Sequence, residues 1–485
     1  MSPWHTPCPQ NLKRKENAMK ILLIAPASGR WKKIGESRIF NGKTFRFSLL
    51  SLLSVAAETP PDVEIRIVDE QIDEIPREEN FDLVGITCMT AIVLRAYEIS
   101  AEFRKRGVPV VLGGMHPTFC PQEALGNADA VVMGDAEGVW PQILKDTANG
   151  RLHGIYGNEG PPSLKGLNPP PRHLLKGKKY GTIQAVQATR GCSNRCDFCS
   201  VSAFNNQTQR FRPVREVLDE ISSLRERFFI FVDDNLTADK DYARDLFNAL
   251  IPLKKRWISQ STLSIAENAG FVELAARAGC IGLFVGLETF SGENLTSVQK
   301  TCHRVEEYRD AIRLLHAHGI GVEAGIVLGF DHDTPEVFQQ TLDMLDKLEV
   351  DVIQVSVFTP LPGTSRFRAM ESRIIDRNYS HYDFHNVVFQ PRNMTRTDLQ
   401  AGHDWLTREF YRPWRIARRV VRHVRRPGGW KTALYHFALN VAYYGRVVRW
   451  NIRGHNPAEN KEKLPWREKE AKAPAPVSVT HENPA

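Results

Sequence analysis

Gly191-Cys192-Ser193-Asn194-Arg195-Cys196-Asp197-Phe198-Cys199 gathers three of the eight cysteines of this 485-residue chain into a few positions. Thiolates spaced Cys-x3-Cys-x2-Cys can wrap one side of a cubane iron–sulfur cluster and leave the fourth iron without a protein ligand. A structural zinc wants a fourth Cys or His nearby, and none follows within reach in the sequence. The motif directly follows an apolar run, 183–189, that reads as a strand.

Further strands are expected near 229–233, 257–262, 282–287, 321–328 and 352–358, with helical patterns at 214–226, 240–251, 267–278, 304–318 and 335–348. This alternation builds a parallel sheet, and its length makes most of a (β/α)6 TIM-type barrel, open on one side. Upstream, 19–150 shows the same alternation, with strands at 20–25, 63–69, 83–87, 108–112 and 130–133 and helices at 45–58, 91–106 and 137–148. That is an α/β, Rossmann-like parallel sheet, whose ligands bind beyond the carboxyl ends of the strands. Small-residue turns fall there: Thr87-Cys88-Met89-Thr90, Gly113-Gly114-Met115-His116-Pro117 and Gly134-Asp135-Ala136-Glu137.

The expected division is a disordered leader at 1–18, the first α/β domain at 19–150, a Gly, Pro and Lys-rich linker at 151–180 and the partial barrel at 181–375. A basic helical region at 376–456 and a disordered tail at 457–485 complete it. The formal charge is +8, yet residues 411–453 alone carry ten Arg and one Lys without an acid. The remainder is close to neutral, which argues against a general polyanion-binding surface and makes nucleic acid an unfavoured partner. Eight cysteines are too sparse for a disulfide scaffold, and no uncharged apolar run reaches the length of a membrane span. Both point to a cytoplasmic protein.

The cluster loop resembles that of the radical S-adenosylmethionine (SAM) enzymes, and the likeness continues along the barrel. Val232-Asp233-Asp234-Asn235 ends the second strand, Gly286-Leu287-Glu288-Thr289 the fourth, and Gly325-Ile326-Val327-Leu328-Gly329-Phe330-Asp331 looks like the family's glycine-rich fifth-strand motif. Thr359-Pro360-Leu361-Pro362-Gly363-Thr364 closes the sixth. The resemblance implies that Cys192, Cys196 and Cys199 hold a [4Fe–4S] cluster. It implies SAM binding by Phe198, Asp233, Asp234, Asn235, Glu288, Gly325, Gly329 and Pro360. The upstream domain resembles the cobalamin-binding domain fused to many of these enzymes. That likeness assigns cobalamin contacts to Thr87, Met89, Thr90, Gly113, Gly114, Gly134 and Glu137. The Asp-x-His-x-x-Gly motif that supplies an axial histidine elsewhere is absent, the early loop reading Ala27-Ser28-Gly29-Arg30-Trp31, so cobalamin is expected without a protein histidine on cobalt. His116 reads as a solvated loop residue, and Cys280 and Cys302 as small core residues.

The whole pattern is similar to class B radical SAM methyltransferases, among them hopanoid methylases and bacteriochlorophyll-pathway methylases and cyclase. It implies cleavage of SAM to a 5′-deoxyadenosyl radical, hydrogen abstraction from an unactivated carbon and methyl transfer through cobalamin, with electrons from a flavodoxin- or ferredoxin-like donor. The substrate would be small and hydrophobic, a lipid or tetrapyrrole. Ring formation, C–C bond formation or oxidation without methyl transfer is the alternative. An RNA methylthiotransferase is disfavoured, because that family needs three N-terminal cysteines and a C-terminal β-barrel. No general base is required for hydrogen abstraction, and none is assigned. In the basic segment, Trp414, Ala417, Val421 and Val424 share one helical stripe with Arg415, Arg418, Arg419 and Arg422 on other faces. After Pro427-Gly428-Gly429 a second helix is expected to carry Trp430, Leu434, Phe437, Val441, Tyr444 and Val448. These helices either dock on the barrel with their Arg heads in solvent or lie peripherally on an anionic membrane at its inner face.

Overall fold

The computed structural model describes residues 18–27, 49–181, 184–300, 304–424, 437–441 and 443–445. The expected leader (but for its last residue), the tail, Cys302, most of the early loop from Ser28 and the stretch around Trp430 and Leu434 lie outside the described residues.

The first sheet starts from β1 (Lys20–Ala25), whose sequence KILLIA is apolar at nearly every position. A strand covered on both faces needs such a run, because successive side chains alternate between the faces. Ile21, Leu23 and Ala25 pack with Leu52 and Leu53 of α1 (Leu50–Ala57) and with Trp140 and Ile143 of α5 (Trp140–Ala148). Leu22 and Ile24 turn the other way, onto Ile99 and Phe103 of α2 (Val93–Lys105). Between these lie β2 (Glu64–Asp69), β3 (Leu83–Thr87), β4 (Val110–Gly113), α3 (Met115–Phe119), α4 (Pro121–Leu125) and β5 (Ala130–Met133). The sheet is parallel throughout, in the order β2-β1-β3-β4-β5-β6. The chain reverses direction across the sheet at β1/β3, which opens the crevice where doubly wound sheets bind ligands.

β6 (Gly154–Gly157) falls in the stretch expected as linker, and pairs with β5 from Ala130↔Gly154 to Met133↔Gly157. Its four residues begin and end in glycine, so the composition hid a strand that sheet pairing alone defines.

The second sheet runs β7-β10-β11-β12-β13-β14, parallel and in chain order, forming a partial barrel. Its elements are β7 (Ala185–Val186), β8 (Thr189–Gly191), α6 (Ser200–Phe204), β9 (Gln209–Phe211), α7 (Val214–Ser223), β10 (Phe228–Phe231), α8 (Lys240–Leu250) and β11 (Arg256–Ser261). They continue as α9 (Ala269–Arg277), β12 (Cys280–Glu288), α10 (Gly292–Ser297), α11 (Tyr308–Ala317), β13 (Gly321–Leu328), α12 (Val337–Leu348), β14 (Val352–Val357) and α13 (Ser365–Ala369). The first barrel strand is interrupted rather than continuous over 183–189. β7 stops at Val186, and β8 leaves the barrel to pair antiparallel with β9. The cause is Asp233, whose carboxylate accepts the backbone N–H groups of Ala188 and Thr189 in place of a neighbouring strand.

The C-terminal segment covers the barrel with α14 (Arg396–Phe410), entered through a Thr395–Asp398 capping box, and α15 (Pro413–Val424). α15 is docked, with Ile416, Arg419 and His423 buried. Its Arg heads pair with barrel acids rather than pointing uniformly to solvent: Arg415 and Arg418 both reach Asp346, the latter at 2.7 Å, and Arg422 reaches Glu349 at 3.6 Å. Arg419 donates to Phe410 O (3.0 Å) and Asn440 Oδ1 (2.9 Å), its guanidinium 3.9 Å from the centre of the Phe410 ring.

Candidate functional site

β8 delivers the chain into the cysteine loop through Gly191, which has φ +89°; a Cβ there would collide with Thr208 O and the Asn205 side chain. The residues after β10 then hold the loop from below. Asp233 is fully buried and also accepts the Thr189 hydroxyl at 2.8 Å. Burial pushes its carboxyl up to about 7, against the opposing pull of its Thr189 and Ala188 bonds. Asp234 Oδ2 accepts Gly191 N at 3.0 Å, and Asn235 Nδ2 faces Cys192 Sγ at 3.8 Å. The N-cap of α8 is Asp239, which takes the N–H groups of Asp241 and Tyr242, so the acidic pair is not occupied in capping that helix.

Arg366 clamps the same loop from the other side. Its guanidinium pairs with Asp197 Oδ2 and donates to Ser297 O, both at 2.6 Å, while its backbone N and Ser365 Oγ donate to Asp197 O at 3.2 Å. The loop borders a cavity of ≈ 200 Å³ lined by Cys196, Cys199, Ser202, Gln299 and Arg368 among others. Among the described residues, the group of three metal-ligating side chains whose donor atoms all lie within 4.8 Å is His116, Cys120 and Glu123. Cys192, Cys196 and Cys199 are thiols, each partly exposed on the loop. The donor set is three thiols with no fourth Cys or His beside them in the sequence, which fits a cubane with one open iron better than a closed zinc site.

The remaining barrel residues separate into two groups. Glu288 closes β12 in the left-handed region, φ +65°, with Oε1 2.5 Å from Lys300 Nζ. It stands on the same carboxyl-end rim as Asp233, Asp234 and Asn235. Phe198 instead packs edge-on against Phe330 and Phe358, with ring centres 6.3 and 6.0 Å away. Gly325 faces Phe284 and Gly329 faces Leu399 so closely that a Cβ would come within 2.9 and 2.7 Å of them, and Pro360 is buried. Phe198, Gly325 and Gly329 make close packing contacts with neighbouring side chains.

On the first sheet, Thr87, Gly113 and Gly134 lie at strand ends, and Met89 is exposed. Gly114 has φ +102°, and a Cβ there would meet Cys88 O at 2.7 Å, so the turn admits only glycine. Gly134 N donates to Thr118 Oγ1 at 2.9 Å. Thr90 is buried, its hydroxyl 3.2 Å from His116 Nδ1. His116 itself is fully buried rather than solvated, because the Gly113-Gly114 turn starts α3 at once and rotates the imidazole inward. Glu137 is also largely buried, and its carboxylate meets Arg190 Nη2 at 3.0 Å. Asp135 pairs with Arg190 at 3.1 Å and with Arg210 at 2.7 Å. The 134–137 turn of the first sheet is therefore ion-paired to β8 and β9, next to the cysteine loop. Phe119 adds an apolar contact, edge-on to Phe204 at 6.3 Å. Arg190, Arg210 and Arg366 were not singled out from sequence. Arg190 borders the motif and could have been noticed there; Arg366 carries no local signal.

The Radical SAM superfamily matches residues 186–360 and the B12 binding domain matches residues 52–144. Bacteriochlorophyllide d C-12(1)-methyltransferase of Chlorobaculum tepidum is 28% identical over 76% of this chain and 84% of its own length. Bacteriochlorophyllide d C-8(2)-methyltransferase of the same organism is 30% identical over 64% of this chain and 73% of its own. Hopanoid C-2 methylase of Rhodopseudomonas palustris is 24% identical over 83% of this chain and 84% of its own. Among solved structures, the cobalamin-dependent S-adenosylmethionine radical enzyme OxsB superposes with a TM-score of 0.63 at 14% identity, covering 91% of this chain and 74% of that one.

Proposed function

Because the chain belongs to the radical SAM enzymes that carry a B12-binding domain, we propose that it methylates an unactivated carbon of a hydrophobic tetrapyrrole or polycyclic lipid. A [4Fe–4S] cluster, SAM and cobalamin, when bound, supply one-electron cleavage, hydrogen abstraction and a methyl carrier, chemistry outside the reach of side chains.

The chain's part is holding and orienting. Cys192, Cys196 and Cys199 would ligate the cluster, on a loop fixed by Asp234 and Asn235 beneath and Arg366 beside it. Asp233 secures the strand that leads into it. Glu288, already neutralised by Lys300, offers a polar edge for the ribose of SAM. Phe198, Gly325, Gly329 and Pro360 shape the wall behind that site. The turns at Thr87–Thr90, Gly113-Gly114 and Gly134 would bring backbone groups to cobalamin, with Glu137 acting through Arg190 rather than by direct contact. His116 is fully buried behind the turn with its Nδ1 against Thr90, so cobalt is proposed to have no protein histidine from this loop.

The observation that carries the proposal is the Arg190 bridge, which sets a strand-end turn of the first sheet against the strand feeding the cysteine loop. An external flavodoxin- or ferredoxin-like donor would supply electrons. Among the described residues no helix is long and apolar enough to cross a membrane. Peripheral contact with an anionic bilayer is the proposed role of exposed Trp414, Val421 and Val424, together with exposed Phe437 and Val441.

The test is anaerobic incubation of the reconstituted enzyme with methyl-labelled SAM and candidate tetrapyrroles and hopanoids. Label in the product supports methyl transfer. 5′-Deoxyadenosine formation with an unlabelled, cyclised or oxidised product would overturn it and leave ring formation or oxidation in its place.

A further inference from the structure

Behind the Gly113-Gly114 turn, three donors of different chemistry converge: His116 from α3, Cys120 between α3 and α4, and Glu123 from α4. One donor atom from each lies within 4.8 Å of the others. His116 is fully buried, and its Nδ1 is engaged by Thr90 Oγ1 at 3.2 Å. Its Nε2 has no hydrogen-bond partner and stands 3.5 Å from Glu123 Oε1, too long for a good hydrogen bond. The same carboxylate oxygen accepts Tyr97 OH at 3.0 Å, and Tyr379 packs edge-on to the imidazole with ring centres 4.8 Å apart.

A buried imidazole nitrogen left without a partner is unfavourable. Here it stands 3.5 Å from a carboxylate oxygen, with a thiol within 4.8 Å of both, a spread that one coordinated cation can bridge. Imidazole, thiolate and carboxylate together select a borderline-soft divalent ion; magnesium and calcium prefer all-oxygen sets. The surroundings also match such a site, because a metal-bound histidine normally has its other nitrogen held by a partner, as Thr90 holds Nδ1 here, and a ligating carboxylate is itself hydrogen-bonded.

We propose that His116, Cys120 and Glu123 bind one zinc-class divalent ion, with Thr90 and Tyr97 orienting two of the ligands. The ion would be separate from the cysteine loop at 192–199. It would brace α3 and α4 directly behind a strand-end turn of the first sheet, under the cover of Tyr379.

The experiment uses the full-length chain, anaerobically purified and loaded with its iron–sulfur cluster, stripped of loose metal and then titrated with Zn²⁺ and, in parallel, Co²⁺. The expected result is one zinc per chain beyond the cluster iron, and a thiolate-to-cobalt charge-transfer band. Cys120→Ser should remove the band, and both it and Glu123→Gln should weaken zinc binding by more than tenfold without altering cluster iron. Tyr97→Phe should weaken it about 10-fold or more through the carboxylate it orients. A chain with Cys192, Cys196 and Cys199 all changed to Ala should still bind one zinc. Equal zinc uptake by the parent chain and Cys120→Ser, or no uptake once the cluster cysteines are removed, would overturn the proposal.

Discussion

Arg190 reaches Glu137 across the junction between the two sheets, Nη2 to Oε1 at 3.0 Å, with both side chains largely buried. Removing one partner of such a pair strands the other charge without solvent, which costs on the order of 3–5 kcal/mol. Arg190→Ala should therefore lose about that much in denaturant unfolding, while Arg190→Lys, which keeps the charge without the two-point fork to Asp135 and Glu137, should recover part of it. A change under ~0.5 kcal/mol in Arg190→Ala would mean that the junction is held elsewhere.

Cys192→Ala, Cys196→Ala and Cys199→Ala should each abolish reductive cleavage of SAM, measured as 5′-deoxyadenosine. Iron content should fall with it. Persistent 5′-deoxyadenosine in any of the three would reject the cluster assignment.

Asp233 gives a signed pH effect. Its folded carboxyl titrates at about 7, against ~3.9 in an unfolded chain. Between those values the folded state keeps a proton that the unfolded state has lost, so this group's contribution to stability falls as pH rises through the window. Above it the penalty is complete, and below it there is none. The stability of the parent chain minus that of Asp233→Asn should decline from pH 4 to 7 and then level off. A flat difference would show that the carboxyl ionises normally.

The basic C-terminal helix needs a surface substitution rather than a deletion. Truncation from residue 411 would strip away Tyr411, whose hydroxyl donates to Ile353 O at 2.7 Å within the core, and would confound membrane binding with unfolding. Trp414→Ser with Val421→Ser removes two exposed apolar side chains and keeps Arg415, Arg418 and Arg419 opposite Asp346 and Phe410, losing only the ring that Arg415 and Arg418 pack on. The double variant should bind anionic vesicles several-fold more weakly in sedimentation at low salt. Equal binding, or none by the parent chain, would refute the membrane contact.

Much of this architecture is legible in the sequence because apolar periodicity is strong where sheets are covered on both faces. β1, β3, β5 and β13 fall on the runs that predict them. The cysteine loop is legible because its chemistry is local. β6 is not, since Gly154 and Gly157 give it linker composition and only pairing with β5 makes it a strand. Nor is the break between β7 and β8, which depends on a carboxylate 44 residues from Thr189. The site residues follow the same rule. Gly114 announces its turn, whereas Glu137 and His116 look like free loop side chains until Arg190, Thr90 and Glu123 are brought against them. Arg366 lies 169 positions from Asp197. No pattern in sequence spans that distance.

The most direct measurement is a cobalamin titration of the anaerobically reconstituted full chain, followed by absorbance. The account predicts one cobalamin per chain with a base-off spectrum, bound alongside an intact [4Fe–4S] cluster. An intact cluster with no cobalamin uptake would contradict it.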